Sequence, residues 1–330
     1  MKKNKVIYFI FAFLIFFSQA TVAESNGGFE LKVFHFPLVD VSLSEAKWLI
    51  DTAHEAGFNS VQILLREGVK MDMAPWEPKE NAWEKADLID WVSYARSRNF
   101  IIIPEIKLLT HQEKFLQDNF PHLLYNKVTY DPRLDQTYKV VFNFIDEVID
   151  VFNPHAIHIG HDELKSPKRN KRKLNLFDKM LPADLYLLDV IRLNKYLTDR
   201  NIDTWIWGDM FLSSEEFPGM LSRHLHAKDK GYGRELREQL PRNIVICDWH
   251  YFDDQIDFPS LSAFQNDGFR VIGVTWKKES TIKNFSKYAL ENNAYGMMAT
   301  LWFHVRKKEF DKVDRILKLS GSFFNQKKYD

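Results

Sequence analysis

The chain alternates between apolar runs and helical patterns eight times, and this repeat constrains its fold more than any other feature. The predicted strands lie at 31–36, 58–65, 100–106, 156–160, 204–208, 244–249, 271–276 and 296–303. Continuously apolar strands separated by helices are typical of a parallel sheet that is buried on both faces. Eight repeats in roughly 300 residues fit a (β/α)8 TIM barrel, an α/β fold, better than an open doubly wound sheet. No Gly-rich phosphate loop follows the first strand, which further disfavours a dinucleotide-binding fold.

Helical periodicity fills the segments between the predicted strands. The predicted helices lie at 44–56, 84–98, 134–152, 185–199, 280–292 and 307–323, with a weaker one at 231–240. Gly57 is a suitable C-cap for the first helix, and Asp131-Pro132 is a suitable start for the third. No Pro-, Gly- or Ser-rich linker interrupts the pattern. We therefore expect one barrel domain over residues 24–330.

The first 23 residues have the pattern of a signal peptide. A basic start is followed by an apolar run over 6–17 and then by small residues that end at Ala23. The run is short for a membrane span, although an uncleaved N-terminal anchor is the alternative. No later apolar run is long enough to cross a bilayer, and the lone Cys247 cannot form an internal disulfide. These features predict an exported protein, either periplasmic or secreted.

The charge of the remaining 307 residues is nearly balanced. Without the three lysines of the first segment, 42 basic residues face 45 acidic ones. A balanced chain lacks the basic surface of a general nucleic-acid-binding protein. We therefore expect no nucleic-acid partner.

Two adjacent carboxylates, Asp162 and Glu163, directly follow the fourth predicted strand. In TIM barrels the chemistry takes place at the C-terminal ends of the strands. Buried carboxylates are costly because each ionised group loses its hydration. A pair can nevertheless perform acid–base work, since one carboxyl holds a proton while the other stays charged. The pair therefore predicts an enzyme.

Other strand ends carry tryptophans and further carboxylates. The tryptophans are Trp207, Trp249, Trp276 and Trp302, and the carboxylates are Glu105, Asp209 and Asp253. Aromatic faces stack on sugar rings, and a concave site with apolar walls and a few aimed polar groups suits a small ligand. Core packing is the alternative explanation for each tryptophan. Together these residues predict a carbohydrate site.

The segment His158-Ile159-Gly160-His161-Asp162-Glu163, together with the tryptophans and carboxylates at the other strand ends, resembles glycoside hydrolase family 20, the β-N-acetylhexosaminidases, and in particular its smaller single-domain members. The segment from His158 to Glu163, His-Ile-Gly-His-Asp-Glu, is similar to the family's His-x-Gly-Gly-Asp-Glu hallmark. Further similar segments are Pro104-Glu105-Ile106 with His111, Trp207-Gly208-Asp209-Met210, the aromatic pair Trp249 and Tyr251, and Trp302.

The resemblance implies hydrolysis of β-linked N-acetylhexosamine (GlcNAc or GalNAc) by substrate-assisted retention. Glu163 would be the general acid, Asp162 would stabilise the cationic intermediate, and Tyr251 would hold the acetamide oxygen. The candidate substrate-binding residues are His111, Trp207, Asp209, Trp249, Asp253, Trp276, Trp302 and Glu105. The resemblance implies no metal and no cofactor.

The chain also departs from the family pattern. His161 replaces the second glycine of the hallmark, and Lys107 stands where an aspartate is usual. No arginine ends the first strand, and His304 lies near the position where a glutamate often follows the last tryptophan. These departures leave the sugar open. They also leave a non-catalytic glycan-binding barrel as one alternative.

A second alternative is a metal-dependent barrel hydrolase. Three histidines at intervals of three, His155, His158 and His161, precede Asp162. Side chains three residues apart on a strand lie on opposite faces of the sheet. The three histidines are therefore poorly placed to bind one ion.

A basic segment follows the acidic pair, from Lys165 to Lys173. A solvated surface loop is the simplest explanation. Because clustered positive charge attracts anions, an anionic glycan is the more specific hypothesis for this segment.

Overall fold

The eight predicted strands form a closed parallel barrel in the computed structural model, which describes residues 28–117, 119–164, 180–302 and 307–328. The strands are β1 (Leu31–Pro37), β2 (Ser60–Leu64), β3 (Ile101–Leu108), β4 (Ala156–Gly160), β5 (Asp203–Trp207), β6 (Val245–Trp249), β7 (Arg270–Thr275) and β8 (Gly296–Thr300). Each strand pairs in parallel with its sequence neighbours, and β1 closes the barrel against β8. The predicted TIM-barrel fold is confirmed.

One α-helix follows each strand among the described residues. The helices are α1 (Leu43–Glu55), α2 (Lys85–Ser97), α3 (Asp135–Phe152), α4 (Ala183–Thr198), α5 (Arg234–Arg237), α6 (Pro259–Asn266), α7 (Glu279–Glu291) and α8 (Phe310–Phe324). A capping box between Ser42 and Glu45 fixes the start of α1. A short two-stranded sheet, Leu124–Asn126 with Thr129–Tyr130, lies in the β3–α3 connection.

Two helices differ from the sequence prediction. The predicted helix over 231–240 is only one turn long, because Gly231 and Gly233 both adopt positive φ ahead of it. The helix α6 was not predicted, since its eight residues give too few turns for a periodic signal. Its first residue, Pro259, is typical of a helix start.

Strand alternation divides the core into two parts. Along β1, Phe34 and Phe36 pack in the larger cluster between the barrel and its helices, whereas Val33 lies in a smaller cluster inside the barrel. The inner cluster also contains Trp207 and the lone Cys247. Burial raises the pKa of the Cys247 thiol well above its usual value, so this thiol stays protonated and unreactive.

No helix in the described part of the chain is both long and apolar enough to cross a bilayer. The predicted signal peptide over residues 1–23, the basic segment from Lys165 to Lys173, and His304 lie outside the described residues.

Candidate active site

The backbone turns sharply where β4 ends. Gly160 has φ 79°, and a Cβ there would lie 3.2 Å from the carbonyl oxygen of Ile106 on β3. His161 and Glu163 also adopt positive φ, 70° and 47°. Such left-handed residues cost roughly 1–2 kcal/mol each when they carry a side chain. The turn places the carboxylates of residues 162 and 163 at the mouth of the barrel.

His161, which replaces a family glycine, is anchored by a buried network. Its Nε2 lies 2.8 Å from Oδ2 of Asp189 on α4. Asp189 also accepts hydrogen bonds from the hydroxyls of Tyr130, at 2.8 Å, and Tyr138, at 2.5 Å. The Tyr186 hydroxyl donates to the backbone oxygen of His161 at 3.0 Å. These contacts hold a side chain in a backbone conformation that favours glycine, and they tie the turn to α3 and α4.

Asp162 is held by two basic side chains. Lys107 Nζ donates to both carboxylate oxygens, at 3.0 and 3.1 Å, and His111 Nε2 lies 3.3 Å from Oδ2. Burial alone would raise the pKa of Asp162, but the charges of Lys107 and His111 outweigh it and hold that pKa well below its usual range. Asp162 is therefore an ionised carboxylate.

A β-bulge places Lys107 in this position. Glu105 pairs with His158 of β4, and Leu108 pairs with Gly160, so β3 carries one extra residue over this stretch. Bulges next to active sites redirect side chains. Lys107 therefore reaches Asp162 from the neighbouring strand.

Glu163 lies in an environment that favours the protonated acid. Burial raises its pKa, and the negative charges of Asp162 and Asp209 raise it further, against the opposing effect of His111 and His226. Its backbone N–H donates to Asp209 Oδ2 at 2.9 Å. The two adjacent carboxyls thus have pKa values shifted in opposite directions, the arrangement of a proton donor beside an anion.

Asp209 is enclosed by other protein groups. It is almost fully buried and accepts hydrogen bonds from Trp249 Nε1 at 3.2 Å and from His226 Nδ1 at 2.5 Å. Burial would lower the pKa of His226, but the hydrogen bond to Asp209 raises it. His226 was not predicted from the sequence, because it lies in the long β5–α5 connection without a motif around it.

The aromatic residues predicted at the strand ends lie together. The rings of Trp249 and Tyr251 stack with centroids 4.9 Å apart, and Trp276 contacts Tyr251 edge-on at 6.0 Å. Trp302 Nε1 donates to the Tyr251 hydroxyl at 2.9 Å, and the Thr300 side chain is a second hydrogen-bond partner of this hydroxyl. Burial raises the pKa of Tyr251, so the phenol remains protonated. The four aromatic residues form an apolar wall that carries one hydroxyl, that of Tyr251.

Glu105 lies deeper, in the interior of the barrel. It accepts hydrogen bonds from Gln62 at 2.8 Å and from Trp207 at 3.1 Å, and His35 Nε2 lies 3.0 Å away. Burial would raise the pKa of Glu105, but Lys107 and His35 outweigh it and lower that pKa. His35, on the strand where the family commonly carries an arginine, is thus part of this buried network. Lys107 connects Glu105 and Trp207 to Asp162.

The other predicted residues point elsewhere. Asp253 is buried and faces His250 at 3.3 Å and His224 at 3.5 Å, away from Asp162. Of the three histidines at intervals of three, His155 is exposed and His161 joins the Asp189 network. His158 lies inside the barrel against Trp207, and burial lowers its pKa to about 3. The three rings do not converge on one point.

The sequence matches the family model described as glycosyl hydrolase family 20, catalytic domain, over residues 54–315. A probable beta-hexosaminidase from Arthroderma benhamiae is 25% identical over 205 residues, covering 52% of this chain and 29% of that protein.

Solved structures of similar fold include a Flavobacterium johnsoniae chitobiase and a Bacteroides fragilis beta-N-acetylhexosaminidase. The chitobiase has a TM-score of 0.65 and 16% identity, over 91% of this chain and 49% of the other. The Bacteroides protein has a TM-score of 0.63 and 19% identity, over 89% and 65%. Dispersin B has a TM-score of 0.60 and 14% identity, over 91% and 99%. The chain thus spans only part of the length of several relatives. Because the family model matches most of its length, the chain belongs to glycosyl hydrolase family 20.

Proposed function

We propose that this protein is a glycosidase that removes β-linked N-acetylhexosamine from glycans by substrate-assisted retention. The observation that carries the proposal is the contrast between its two adjacent carboxyls. Asp162 is held ionised, whereas Glu163 has a raised pKa. Family membership and the names of the related hexosaminidases support the same activity.

In the first step Glu163 donates its proton to the glycosidic oxygen as the bond to the anomeric carbon breaks. The oxygen of the substrate's own 2-acetamido group attacks that carbon and forms a cyclic oxazolinium ion. Because the nucleophile belongs to the substrate, no entropy is lost in bringing a separate one into place. In the second step the Glu163 carboxylate takes a proton from water, and that water opens the ring. Two inversions at the anomeric carbon give net retention.

Asp162 stabilises the positive charge of the intermediate and accepts the acetamide N–H. Lys107 and His111 preserve its ionised form, but Lys107 also contacts both of its oxygens. The ammonium group therefore offsets part of the negative charge that Asp162 offers to the oxazolinium. Tyr251 donates to the acetamide oxygen, and Trp249 and Trp302 form the walls of the sugar site.

Two contacts favour a second candidate, a glycan-binding barrel without turnover. Lys107 neutralises Asp162 in the resting protein, and His35 is engaged with Glu105 instead of being available for sugar hydroxyls. A site with this arrangement binds an amino sugar through its aromatic walls. It does not stabilise the oxazolinium ion enough for the glycosidic bond to be cleaved.

Hydrolysis assays with aryl N-acetyl-β-glucosaminide and N-acetyl-β-galactosaminide test the proposal. Wild-type protein should release the aryl group with retained anomeric configuration, as followed by proton NMR. It should not cleave the matched aryl β-glucoside, which lacks the acetamide. Glu163→Gln should lose about 100-fold or more in rate, since a general acid contributes about 10²–10⁴-fold.

Three other outcomes are informative. Equal cleavage of the β-glucoside would contradict substrate assistance, and unchanged activity of Glu163→Gln would remove this residue as the acid. Binding of N-acetylglucosamine oligomers without turnover would favour the glycan-binding alternative.

Export of the protein, and attraction of an anionic glycan by the segment from Lys165 to Lys173, belong to the same proposal and rest on sequence alone. Processing after Ala23, measured by N-terminal sequencing of protein from the periplasm or medium, tests the first. Binding of an anionic glycan that weakens steeply with added salt tests the second.

A further inference from the structure

A second cluster of titratable side chains lies next to Trp249 of the aromatic wall. His224, from the β5–α5 connection, faces His250 and Asp253, which follow β6. The three residues are 1%, 0% and 2% exposed, respectively. The potential ligand atoms of the three side chains all lie within 4.8 Å of one another. None of them contacts Asp162 or Glu163 in the hydrogen bonds and ion pairs of the described residues.

Two of the three distances within the cluster fit a tetrahedral ion. Asp253 Oδ2 lies 3.3 Å from His250 Nδ1 and 3.5 Å from His224 Nδ1. Ligands at about 2.1 Å from a tetrahedral zinc ion are separated from one another by about 3.4 Å. Both distances from the carboxylate therefore already match the edges of such a tetrahedron.

The ring of His224 has unpaired nitrogens in the described structure. Among the described residues, neither of its ring nitrogens has a hydrogen-bond partner, and the same holds for Asp253 Oδ1. A buried polar group left unpaired costs about 1–3 kcal/mol. The ring is held in place by its edge-on contact with Trp249, at 4.8 Å, which directs it toward the other two residues. A bound ion would give the imidazole a partner.

A hydrogen-bond chain fixes the orientation of His250. The Ser260 hydroxyl donates to Asp248 Oδ2 at 2.7 Å, so its oxygen accepts from His250 Nε2 at 2.9 Å. His250 therefore carries a proton on Nε2 and presents Nδ1 to Asp253. Metal-binding histidines usually donate their other N–H to such a partner, which sets the tautomer of the ligand.

We propose that His224, His250 and Asp253 form a structural site for a divalent transition-metal ion, with zinc as the ion best suited to two imidazoles and one carboxylate. A water molecule completes the four-coordinate shell. Without the ion, a proton on His250 Nδ1 joins this ring to Asp253; on binding, the ion takes its place and that proton leaves to water. The ion braces Trp249 from behind, through His224, and does not take part in the glycosidase reaction.

Zinc binding to the full, tag-free chain tests the site. The protein is treated with a chelator, dialysed and titrated with Zn²⁺ alone, with calorimetry for stoichiometry and thermal unfolding for stability. We expect one equivalent bound per chain and a rise in Tm, because a ligand that binds only the folded state stabilises it.

The variant His224→Phe removes one ligand and keeps a ring against Trp249. Because the replaced nitrogens have no hydrogen-bond partner in the described part of the chain, the metal-free variant should be at least as stable as the metal-free wild type. It should nevertheless lose the Zn²⁺-induced rise in Tm. Its zinc affinity should fall by at least roughly 10–100-fold, the loss that is typical when a mere outer-shell partner of a ligand is removed. Asp253→Asn should also lose the rise. His155→Gln, which removes an exposed histidine, should behave like the wild type.

Absence of stoichiometric zinc binding by the wild type would overturn the proposal. So would an undiminished Tm rise in both His224→Phe and Asp253→Asn, since the ion would then bind elsewhere. Loss of binding in His155→Gln would equally contradict it, because the bound ion would then be a surface ion.

Discussion

Replacement of Lys107 by methionine tests the electrostatics of the candidate active site most directly. The ammonium lies 3.0 and 3.1 Å from the oxygens of Asp162 and 3.4 Å from Glu105. Methionine keeps the approximate length of the side chain but removes its charge. Among the described residues, Asp162 then retains only His111, at 3.3 Å, as a basic partner.

The expected shift can be bounded from the geometry. Two unit charges about 3 Å apart interact by about 5.5 kcal/mol at an effective dielectric constant of 20, which corresponds to roughly 4 pKa units and is an upper limit. A neighbouring opposite charge typically shifts a carboxyl pKa by about 1–3 units. Because Lys107 lowers the pKa of Asp162, its removal must raise that pKa. Asp162 then becomes protonated at a higher pH as the solution is acidified.

The assay is the pH dependence of kcat/KM on an aryl N-acetyl-β-hexosaminide. The acid limb of the profile should move upward by about 1–3 pH units in Lys107→Met, and Lys107→Arg, which keeps the charge, should move it less. An acid limb that stays in place or moves to lower pH would refute the assignment of Lys107 as the group that keeps Asp162 ionised.

Stability provides an independent measurement for the same variant. Removal of one partner of a buried ion pair costs about 3–5 kcal/mol, since the other charge is left uncompensated. Urea unfolding at neutral pH should show a loss of that order for Lys107→Met. The exposed pair of Lys47 and Asp90 is the matched control, and Lys47→Met should cost less than about 1 kcal/mol. Equal losses in the two variants would contradict the buried character of the Lys107 contacts.

Three further substitutions give defined outcomes. Tyr251→Phe removes the hydroxyl that accepts from Trp302, and kcat/KM should fall about 100-fold or more while the urea midpoint changes little; a loss below about threefold would argue against its contact with the acetamide. His161→Gly should be more stable to urea than His161→Ala by about 1–2 kcal/mol, because φ is 70° at this position; the reverse order would contradict the left-handed backbone. Gly321→Ala places a Cβ 2.1 Å from the carbonyl oxygen of Ala56 and should lower the unfolding free energy by about 1–3 kcal/mol. A gain in stability, as alanine gives at an unstrained helical position, would contradict this close approach.

The elements of the fold were predictable from local patterns. All eight barrel strands overlap the predicted apolar runs, because strands that are buried on both faces are almost continuously apolar in sequence. The prediction was wrong for the two shortest helices. The helix predicted over 231–240 covers only Arg234–Arg237, after Gly231 and Gly233, and α6 has too few turns to show helical periodicity. Local sequence thus predicts long buried elements and fails for short ones.

The candidate site was predictable only in part. Asp162, Glu163 and the aromatic residues follow from the rule that strand ends meet at one edge of a barrel. The contact between Lys107 and Asp162 depends on a bulge in β3, which no local pattern indicates. The role of His226 depends on the path of a long connection, and the direction of Asp253 depends on tertiary packing with His250. Such contacts join residues that are distant in sequence.

The single cysteine inside the barrel has a practical consequence. Since Cys247 is buried and is the only cysteine of the chain, a maleimide dye added to the folded protein has no native thiol to react with. A cysteine introduced at an exposed position therefore accepts one fluorescent or spin label without any prior replacement of native residues. Conversely, the rate at which Cys247 itself is labelled measures how often the barrel opens.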